Sequence, residues 1–241
     1  MKRFLLRWYS QCKDALFPIR CLGCQQEGFF FCETCSTVLS EQEIQECPVC
    51  RSPYARGGSV CKLCRKKTAL NGILVATPYK NRLVEHLIHT LKYRFIEALA
   101  EPLAKLLIRS LHHHSLPLPD LILPVPLHPK RLRYRGFNQA ELIAQAFEQH
   151  LTPGLNLNLY QKDILIRVRF TKPQMQTSSR QERLENLAGA FQVVPQAIPK
   201  LRNKEIWLID DVATTGTTLE ECAKVLKAAG VKIVWGIVVA R

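Results

Sequence analysis

The chain has 241 residues, of which 47% are hydrophobic and 22% are charged, and its formal net charge is +14. This apolar content is far above that of a disordered chain, so the composition excludes a wholly disordered protein and predicts one or two packed domains. The longest apolar runs, such as residues 233–240, fall well short of the roughly 20 residues that a membrane-spanning helix needs, which excludes that class too.

The first 19 residues are predicted to form an amphipathic helix. Phe4, Trp8 and Cys12 fall about one helical turn apart between basic residues. The segment has no continuous apolar stretch and no small-residue cleavage site, so it differs from a secretory signal peptide. We therefore expect a cytoplasmic protein.

Eight of the ten cysteines form four CxxC pairs between residues 21 and 64. In a long chain without an export signal, this pattern is typical of metal binding in a reducing compartment and not of disulfides. Each CxxC turn presents two sulfurs on one side of a tight knuckle, and two facing knuckles supply the tetrahedral thiolate shell that Zn²⁺ accepts. The candidate zinc ligands are Cys21, Cys24, Cys32, Cys35, Cys47, Cys50, Cys61 and Cys64.

The spacing also indicates what these metals do. Four thiolates would fill each shell and leave no open coordination position, so two structural zinc sites are expected and not catalytic ones. Pairing in sequence order is favoured over an interleaved arrangement, because each half of the pattern is self-contained in length. Reduced thiols that hold no metal and iron–sulfur ligation, which uses the same ligands, are the alternatives.

Beyond residue 67 the CxxC pairs end and longer periodic apolar segments begin, so we place a domain boundary there. The predicted parts are the amphipathic helix over 1–19, a double zinc ribbon over 20–67 and an α/β domain over 70–241. Within the last part, we expect strands at 71–79, 164–168, 191–194, 205–209 and 232–239, a short apolar run at 120–125, and helices near 84–91, 102–111, 139–149 and 218–229. Because nearly all-apolar strands alternate with helices, these elements predict a parallel sheet that is covered on both faces.

The most informative segment runs from Ile206 to Leu219. An apolar strand ends in two adjacent carboxylates, Asp210 and Asp211, and then passes through a hydroxyl-rich loop into a helix. Ligands of open α/β sheets sit at such strand ends, and loop amides, threonine hydroxyls and a helix N-terminus all favour a bound phosphate. The candidate phosphate-binding residues are Ala213, Thr214, Thr215, Gly216, Thr217 and Thr218.

The two carboxylates would repel a phosphate, so they are expected to contact sugar hydroxyls or Mg²⁺. A phosphorylated sugar satisfies both halves of the segment. An N-capped helix with solvated aspartates is the alternative, but two carboxylates and four threonines exceed what capping requires. The GxxxxGK[ST] and GxGxxG patterns are missing, which excludes a Walker loop and a dinucleotide loop. The segment closely resembles the motif of type I phosphoribosyltransferases that binds phosphoribosyl pyrophosphate (PRPP).

Further motifs narrow this resemblance. The run PVPLHPKRLRYRGFNQA over 124–140, the run TKPQ over 171–174, the GAF run over 189–191 and Arg180, Arg183 and Asn186 are similar to segments of the ComF family of competence-associated proteins. Members of that family join an N-terminal zinc module to a phosphoribosyltransferase-like domain, and the resemblance covers almost the whole chain in the same order. It implies a type I phosphoribosyltransferase-like parallel sheet with an N-terminal double zinc ribbon, Mg²⁺ bound together with PRPP, and a role in DNA uptake during natural transformation.

The resemblance also assigns two basic loops. Residues 127–135 would be the loop that faces pyrophosphate, and residues 167–183 would be the loop that closes over the site. The cations of the first loop are Lys130, Arg131, Arg133 and Arg135, with no acid among them, which suits a highly charged leaving group. For both loops the alternative is a solvated basic face. Asn138, Gln139 and Gln174 match the family pattern without an assigned role.

These features favour one function over two others. The net charge, the basic loops and the aromatic residues Phe29, Phe30, Phe31 and Tyr54 near the knuckles suit a PRPP-binding, ComF-like protein that also binds single-stranded DNA and supports DNA uptake. The alternative is an active phosphoribosyltransferase with an unidentified small-molecule acceptor. A zinc-module adaptor with an inert second domain is the least favoured, because the Asp-Asp-Thr loop is complete.

Overall fold

A parallel sheet of four strands lies at the centre of the molecule. The structure is a computed structural model that describes residues 18–53, 56–114, 116–155, 157–171 and 185–241. Its strands are β1 (Gly72–Thr77), β2 (Leu121–Pro124), β3 (Leu165–Arg167), β4 (Phe191–Val193), β5 (Glu205–Val212) and β6 (Ile233–Ala240). The central sheet has the order β1, β6, β5, β2, and each neighbouring pair is parallel. Side-by-side parallel strands bring their carboxyl ends to one edge, where a ligand site is expected.

Helices cover both faces of this sheet. They are α1 (Glu33–Val38), α2 (Arg82–Tyr93), α3 (Ala100–His112), α4 (Pro129–Arg135), α5 (Gln139–Leu151), α6 (Ile198–Leu201) and α7 (Thr217–Ala228). Because successive side chains of a strand point to opposite faces, Trp207 and Ile209 of β5 join the core formed with α2, α3 and α5. Ile206 and Leu208 join the other core, to which α7 contributes its apolar face. The predicted α/β class with a parallel sheet is thus confirmed.

Two predicted strands differ from this pattern. Residues 164–168 and 191–194 contribute β3 and β4, which pair antiparallel in a separate two-stranded sheet. The reason is their one-sided burial, since Leu165 is buried whereas Ile166 is 40% exposed. Such alternation is typical of an antiparallel pair with one solvated face and not of a central parallel strand.

The cysteine-rich segment, which we define as residues 18–67, packs along the outer edge of β1. The backbone N–H of Gln42 donates to the Ala76 carbonyl at 2.9 Å. The side-chain amide of Gln45 donates to the Val75 carbonyl at 2.8 Å and accepts from the Val75 N–H at 3.0 Å. Farther along, the Val60 N–H donates to the Asn71 carbonyl at 2.8 Å. The backbone groups that an edge strand would expose therefore find partners in this segment.

Arg109 of α3 ties the same segment to the helical layer. Its guanidinium donates to the carbonyls of Ser36 at 2.7 Å and Leu39 at 2.9 Å, and it forms an ion pair with Glu41. The predicted N-terminal helix falls almost wholly in residues 1–17, outside the described residues. Among the residues that are described, no helix has the length and apolar character needed to cross a membrane.

Candidate functional site

The eight CxxC cysteines form two clusters in sequence order, as the spacing predicted. Within each cluster the four sulfurs lie within 4.8 Å of one another. A tetrahedral zinc with Zn–S bonds of about 2.3 Å would hold its sulfurs about 3.8 Å apart. The Cys24–Cys32 and Cys50–Cys61 sulfur distances are 3.6 and 3.7 Å. Both clusters could therefore hold a zinc ion.

The ionisation of the thiols supports this fit. Burial raises the pKa of Cys21, but backbone N–H groups that point at its sulfur outweigh burial and lower the pKa to about 6. Burial and the neighbouring thiols raise the pKa of Cys35 to about 12. In the second cluster, the same causes lower the pKa of Cys47 to about 6 and raise the pKa of Cys64 to about 12. Four thiolates cannot share such a space without a cation, and a divalent metal would supply that charge.

The carboxylate pair lies at the carboxyl end of β5. Asp210 and Asp211 are 8% and 2% exposed. Lys92, in the last turn of α2, forms an ion pair with Oδ2 of Asp211. The side-chain amide of Gln139 donates to Oδ1 of Asp211 at 3.3 Å, and Arg135 donates to Oε1 of the same amide at 2.5 Å. Three helices, α2, α4 and α5, thus place a lysine, an arginine and a glutamine around one aspartate.

The pKa values of the two carboxyl groups are shifted in opposite directions. Burial and the adjacent Asp211 charge raise the pKa of Asp210 well above its ordinary value. Burial would raise the pKa of Asp211 as well, but its ion pair with Lys92 holds that pKa below the ordinary value. The same ion pair outweighs burial and raises the pKa of Lys92. The surroundings therefore favour the ionised form at Asp211 and the neutral form at Asp210.

The hydroxyl-rich loop joins β5 to α7. Gly216 has φ +77°, and a Cβ atom there would lie 3.2 Å from Cδ1 of Ile73, so glycine suits both the turn and the space. The hydroxyls of Thr215 and Thr217 are 2.7 Å apart, and Thr217 opens α7. The first backbone N–H groups of a helix have no partner within the helix, so this end of α7 suits an anion. The loop thereby joins hydroxyls and a helix N-terminus at the end of the sheet where the carboxylates lie.

Arg51 of the cysteine-rich segment contacts this loop. It follows Cys50, has φ +64°, and its guanidinium donates to the Thr214 carbonyl at 3.0 Å. In a planar trans peptide the carbonyl and the next N–H point in opposite directions, so this bond also fixes the direction of the Thr215 N–H. The cysteine-rich segment therefore helps to shape the hydroxyl-rich loop.

The basic segment that was expected to be a loop is largely the short helix α4. Its N-cap is His128, whose Nδ1 accepts from the Lys130 N–H at 3.2 Å, and Pro129 occupies its first position. Gly136, with φ +83°, ends the helix in the left-handed conformation. These three local signals make a helix of the segment.

The four cations of α4 point to different places. Arg135 reaches the carboxylate pair through Gln139, as described above. Lys130 and Arg131 lie 5.4 and 5.6 Å from the ring centre of Phe170, and Arg131 donates to the Thr171 carbonyl at 2.9 Å. Arg133 is exposed. Arg135 is thus the cation of this segment with a described hydrogen bond into the carboxylate network.

Most of the second basic loop, residues 172–183 with Gln174, Arg180 and Arg183, lies outside the described residues. Arg167, its first cation, is buried and donates to the Thr171 hydroxyl at 2.5 Å. Arg169 donates to three backbone carbonyls over residues 185–188. Arg169 therefore joins the two described ends of the segment, whereas Arg167 acts within the first end.

Sequence reasoning missed several residues and misjudged one ring. Lys92 and Arg51 give no local signal, because only the folded chain brings them to the site. Asn138 caps α5 by accepting from the Ala140 N–H at 3.1 Å, a role that its position before the helix could have indicated. Phe31, expected as a stacking ring, is 8% exposed and packs in the core, and Tyr54 lies outside the described residues.

Exposed rings lie instead around α4. Tyr93, Phe95, Tyr134 and Phe170 are 45% to 80% exposed. The ring of Phe95 packs edge-on against Tyr134 at 6.5 Å, and Arg135 lies 5.6 Å from the ring centre of Tyr93. We call these four rings and the cations of α4 the α4 surface.

One strand of the parallel sheet ends in an acidic pair, which leads through a hydroxyl-rich loop into a helix. This arrangement is that of a phosphoribosyltransferase-like fold. The family model of the phosphoribosyl transferase domain matches residues 134–241. Competence protein F of Haemophilus influenzae is 32% identical over 228 residues, which cover 90% of this chain and 89% of that protein. DNA utilization protein YhgH of Salmonella typhi is 31% identical over 203 residues, which cover 83% and 85%.

The chain therefore belongs to the ComF family of competence and DNA-utilization proteins, as its motifs predicted. Among solved structures, the glutamine PRPP amidotransferase of B. subtilis aligns with 58% of this chain and 26% of its own, at 18% identity and a TM-score of 0.32.

Proposed function

We propose that this protein binds PRPP at the carboxyl end of β5, binds single-stranded DNA, and through both supports DNA uptake. The observation that carries the PRPP part is the single strand–loop–helix unit that joins a buried carboxylate pair to a phosphate-type loop. The 5′-phosphate would lie against residues 213–218, and Asp210 and Asp211 would accept from ribose hydroxyls or hold Mg²⁺. The division at residue 67 into a zinc ribbon and a PRPP-binding domain is part of this proposal.

The charges around the pair support this arrangement. PRPP carries a pyrophosphate beside the hydroxyls that the carboxylates would bind, and an ionised aspartate alone would repel it. Lys92 and Arg135 lie next to Asp211 and offset that repulsion. Bound Mg²⁺ would supply further positive charge at the pyrophosphate. The other α4 cations extend the same positive field toward the leaving group.

The α4 surface supports the DNA part. Proteins that bind single strands combine cations along the backbone with rings on which bases stack. Tyr134 is 80% exposed, and both Lys130 and Arg131 lie within 6 Å of the ring centre of Phe170. The relatives named for competence and for DNA utilization favour the same reading.

Turnover is the second candidate function. The match to the phosphoribosyl transferase domain includes the whole strand–loop–helix unit, which favours transfer of the phosphoribosyl group to an acceptor. Release of pyrophosphate from PRPP with Mg²⁺ and cell extract as the source of acceptor would support this candidate.

The test measures the binding of two ligands to the same protein preparations. We expect calorimetry with PRPP and Mg²⁺ to show binding to the wild type and at least tenfold weaker binding to Asp211→Asn, because the variant loses the ionised carboxylate. Fluorescence anisotropy with oligodeoxythymidylate should show unchanged DNA binding by that variant.

Tyr134→Ala should give the reverse result, with weakened DNA binding and unchanged PRPP binding. Phe29→Ala is the comparison, because Phe29 is 55% exposed and belongs to the other set of rings, near the knuckles, that the sequence suggested for stacking. If Asp211→Asn binds PRPP with the affinity of the wild type, the proposed PRPP site at the end of β5 is wrong. Equal losses of DNA binding in the two ring variants would contradict a specific role for the α4 surface.

A further inference from the structure

A basic cleft separates the end of the cysteine-rich segment from α7. Its walls are the 3₁₀ helix Lys62–Lys67 with the residues up to Asn71 on one side and α7 on the other, and its volume is about 790 Å³. None of its lining residues belongs to the carboxylate pair, the phosphate loop or the α4 surface. The cleft is therefore separate from the site described above.

Five cations line this cleft: Arg65, Lys66, Lys67, Lys224 and Lys227. The last two lie on one side of α7, one turn apart, and face the other three across the gap. The ion pairs within the described residues include none from Arg65, Lys66 or Lys67, and all three are exposed. The charge of that wall is therefore open to a ligand.

One carboxylate lines the cleft, and it is already engaged. Glu220 accepts from the Ala69 N–H at 2.9 Å and from the Thr68 hydroxyl. These bonds tie the strand-like connection at 68–69 to α7 and close the floor of the cleft. Lys224 pairs with Glu221 at 2.6 Å, whereas Lys227 donates to the Asn71 side chain at 3.1 Å. Four cations remain without a carboxylate in contact, and the cleft keeps a strong positive charge.

The position of the cations is fixed on both walls. Arg65, Lys66 and Lys67 directly follow Cys64, a member of the second cysteine cluster, within one 3₁₀ helix. The facing lysines belong to α7, whose inner face is buried in the core. Cations carried on an ordered backbone bind a polyanion with a smaller loss of backbone entropy than a flexible basic tail does.

We propose that this cleft binds a chain of phosphates, as in the backbone of single-stranded nucleic acid. None of the described residues that line it is aromatic, so it would contact phosphates without stacking on bases and without reading their sequence. Its volume exceeds that of a single phosphate group, and its cations lie on two walls, which suits an extended ligand. The inference rests on the DNA part of the proposed function for its natural ligand, but not on the α4 surface or on PRPP.

The experiment compares two triple variants of the full, zinc-loaded chain. Lys66→Gln, Lys67→Gln and Lys224→Gln together remove three charges from the cleft. Lys105→Gln, Lys162→Gln and Lys200→Gln remove the same charge from other exposed surfaces and serve as the control. Far-UV circular dichroism and zinc content establish that both proteins are folded.

Anisotropy with oligodeoxythymidylate is measured from about 50 to about 200 mM salt. Each phosphate contact on a single strand contributes about 0.7 to the slope of log affinity against log salt, so loss of three contacts should flatten it by about two units. We expect about tenfold weaker binding at low salt for the cleft variant and a change of less than twofold for the control. The same titrations with inorganic polyphosphate form the second arm, which distinguishes nucleic acid from free phosphate chains.

The outcomes separate this inference from the proposed function. If the cleft variant and the control bind both ligands equally, the cleft inference is wrong, and DNA binding that still depends on Tyr134 leaves the proposed function standing. If the wild type binds polyphosphate through the cleft but no DNA, the phosphate-chain site stands and the DNA part of the proposed function fails. Loss of DNA binding in the cleft variant, with unchanged PRPP binding, supports the inference.

Discussion

Replacing Lys92 by methionine removes the ammonium group beside Asp211 and keeps the length and apolar packing of the side chain. The side chain of Asp211 is 4% exposed and that of Lys92 is 21% exposed, so this is a largely buried ion pair. Loss of one partner of such a pair costs about 3 to 5 kcal/mol, because the other charge stays buried without compensation. Since a fifth of Lys92 contacts solvent, we expect the lower end, about 3 kcal/mol. In a chain of this size that loss corresponds to a fall in melting temperature of about 6 to 12 °C.

The expected pH dependence follows from the direction of the pKa shifts. The pKa of Asp211 is lowered in the folded protein, so its contribution is present above the ordinary carboxyl pKa and is lost as pH falls through the lowered value. In Lys92→Met, the attraction of the ammonium group is lost, so the pKa of Asp211 is higher than in the wild type. The folded variant then takes up a proton at a higher pH than the wild type does. The deficit in stability should therefore be largest near pH 7 and smaller near pH 5.

Urea denaturation at both pH values measures this deficit. Lys105→Met is the control, because Lys105 forms an exposed pair with Glu101 at 3.6 Å on the neighbouring helix. Exposed pairs contribute about 0.2 to 1 kcal/mol. A deficit for Lys92→Met that is no larger than that of the control, or one that does not change between the two pH values, would refute the buried ion pair.

Three further predictions concern the loop and the metal clusters. Arg51→Ala should weaken PRPP binding several-fold in calorimetry by freeing the peptide between Thr214 and Thr215, whereas Arg20→Ala, which removes an exposed pair in the same segment, should not. Gly216→Ala should lower the melting temperature more than Gly154→Ala; both have φ +77°, but only the first would place a Cβ 3.2 Å from Ile73. Metal analysis of the reduced chain should give two zincs, and chelation or Cys24→Ser should speed hydrogen exchange over residues 20–67 while the fold beyond residue 70 persists. Clearly fewer than two zincs would contradict two complete sites.

Features encoded by neighbouring residues were predictable from the sequence. The CxxC spacing determines the composition of both clusters, and the run from Ile206 to Leu219 carries its strand, loop and helix in one continuous segment. The parallel sheet followed from apolar strands that alternate with helices. In each case the signal lies within a few residues of the structure that it predicts.

Contacts between distant segments were not predictable. Lys92 lies 119 positions before Asp211, and Arg51 lies 163 positions before Thr214, so nothing local marks either residue as part of the site. The prediction of Phe31 as a stacking ring was wrong because an aromatic residue beside a knuckle has the same local pattern whether it faces solvent or the core. Helix α4 was missed because a basic run resembles a loop until its cap, its proline and its terminal glycine are considered together.

The hydrogen bonds from Gln42, Gln45 and Val60 to β1 bear on how this protein can be divided. A chain cut before residue 70 would keep every strand of the parallel sheet but would leave one side of β1 open. An open parallel edge recruits another chain, so the shortened protein should self-associate by strand pairing. Metal depletion of the intact chain would uncover the same edge more gradually. The cysteine clusters would then act as protection against aggregation, and oxidative loss of zinc would expose this edge to strand pairing.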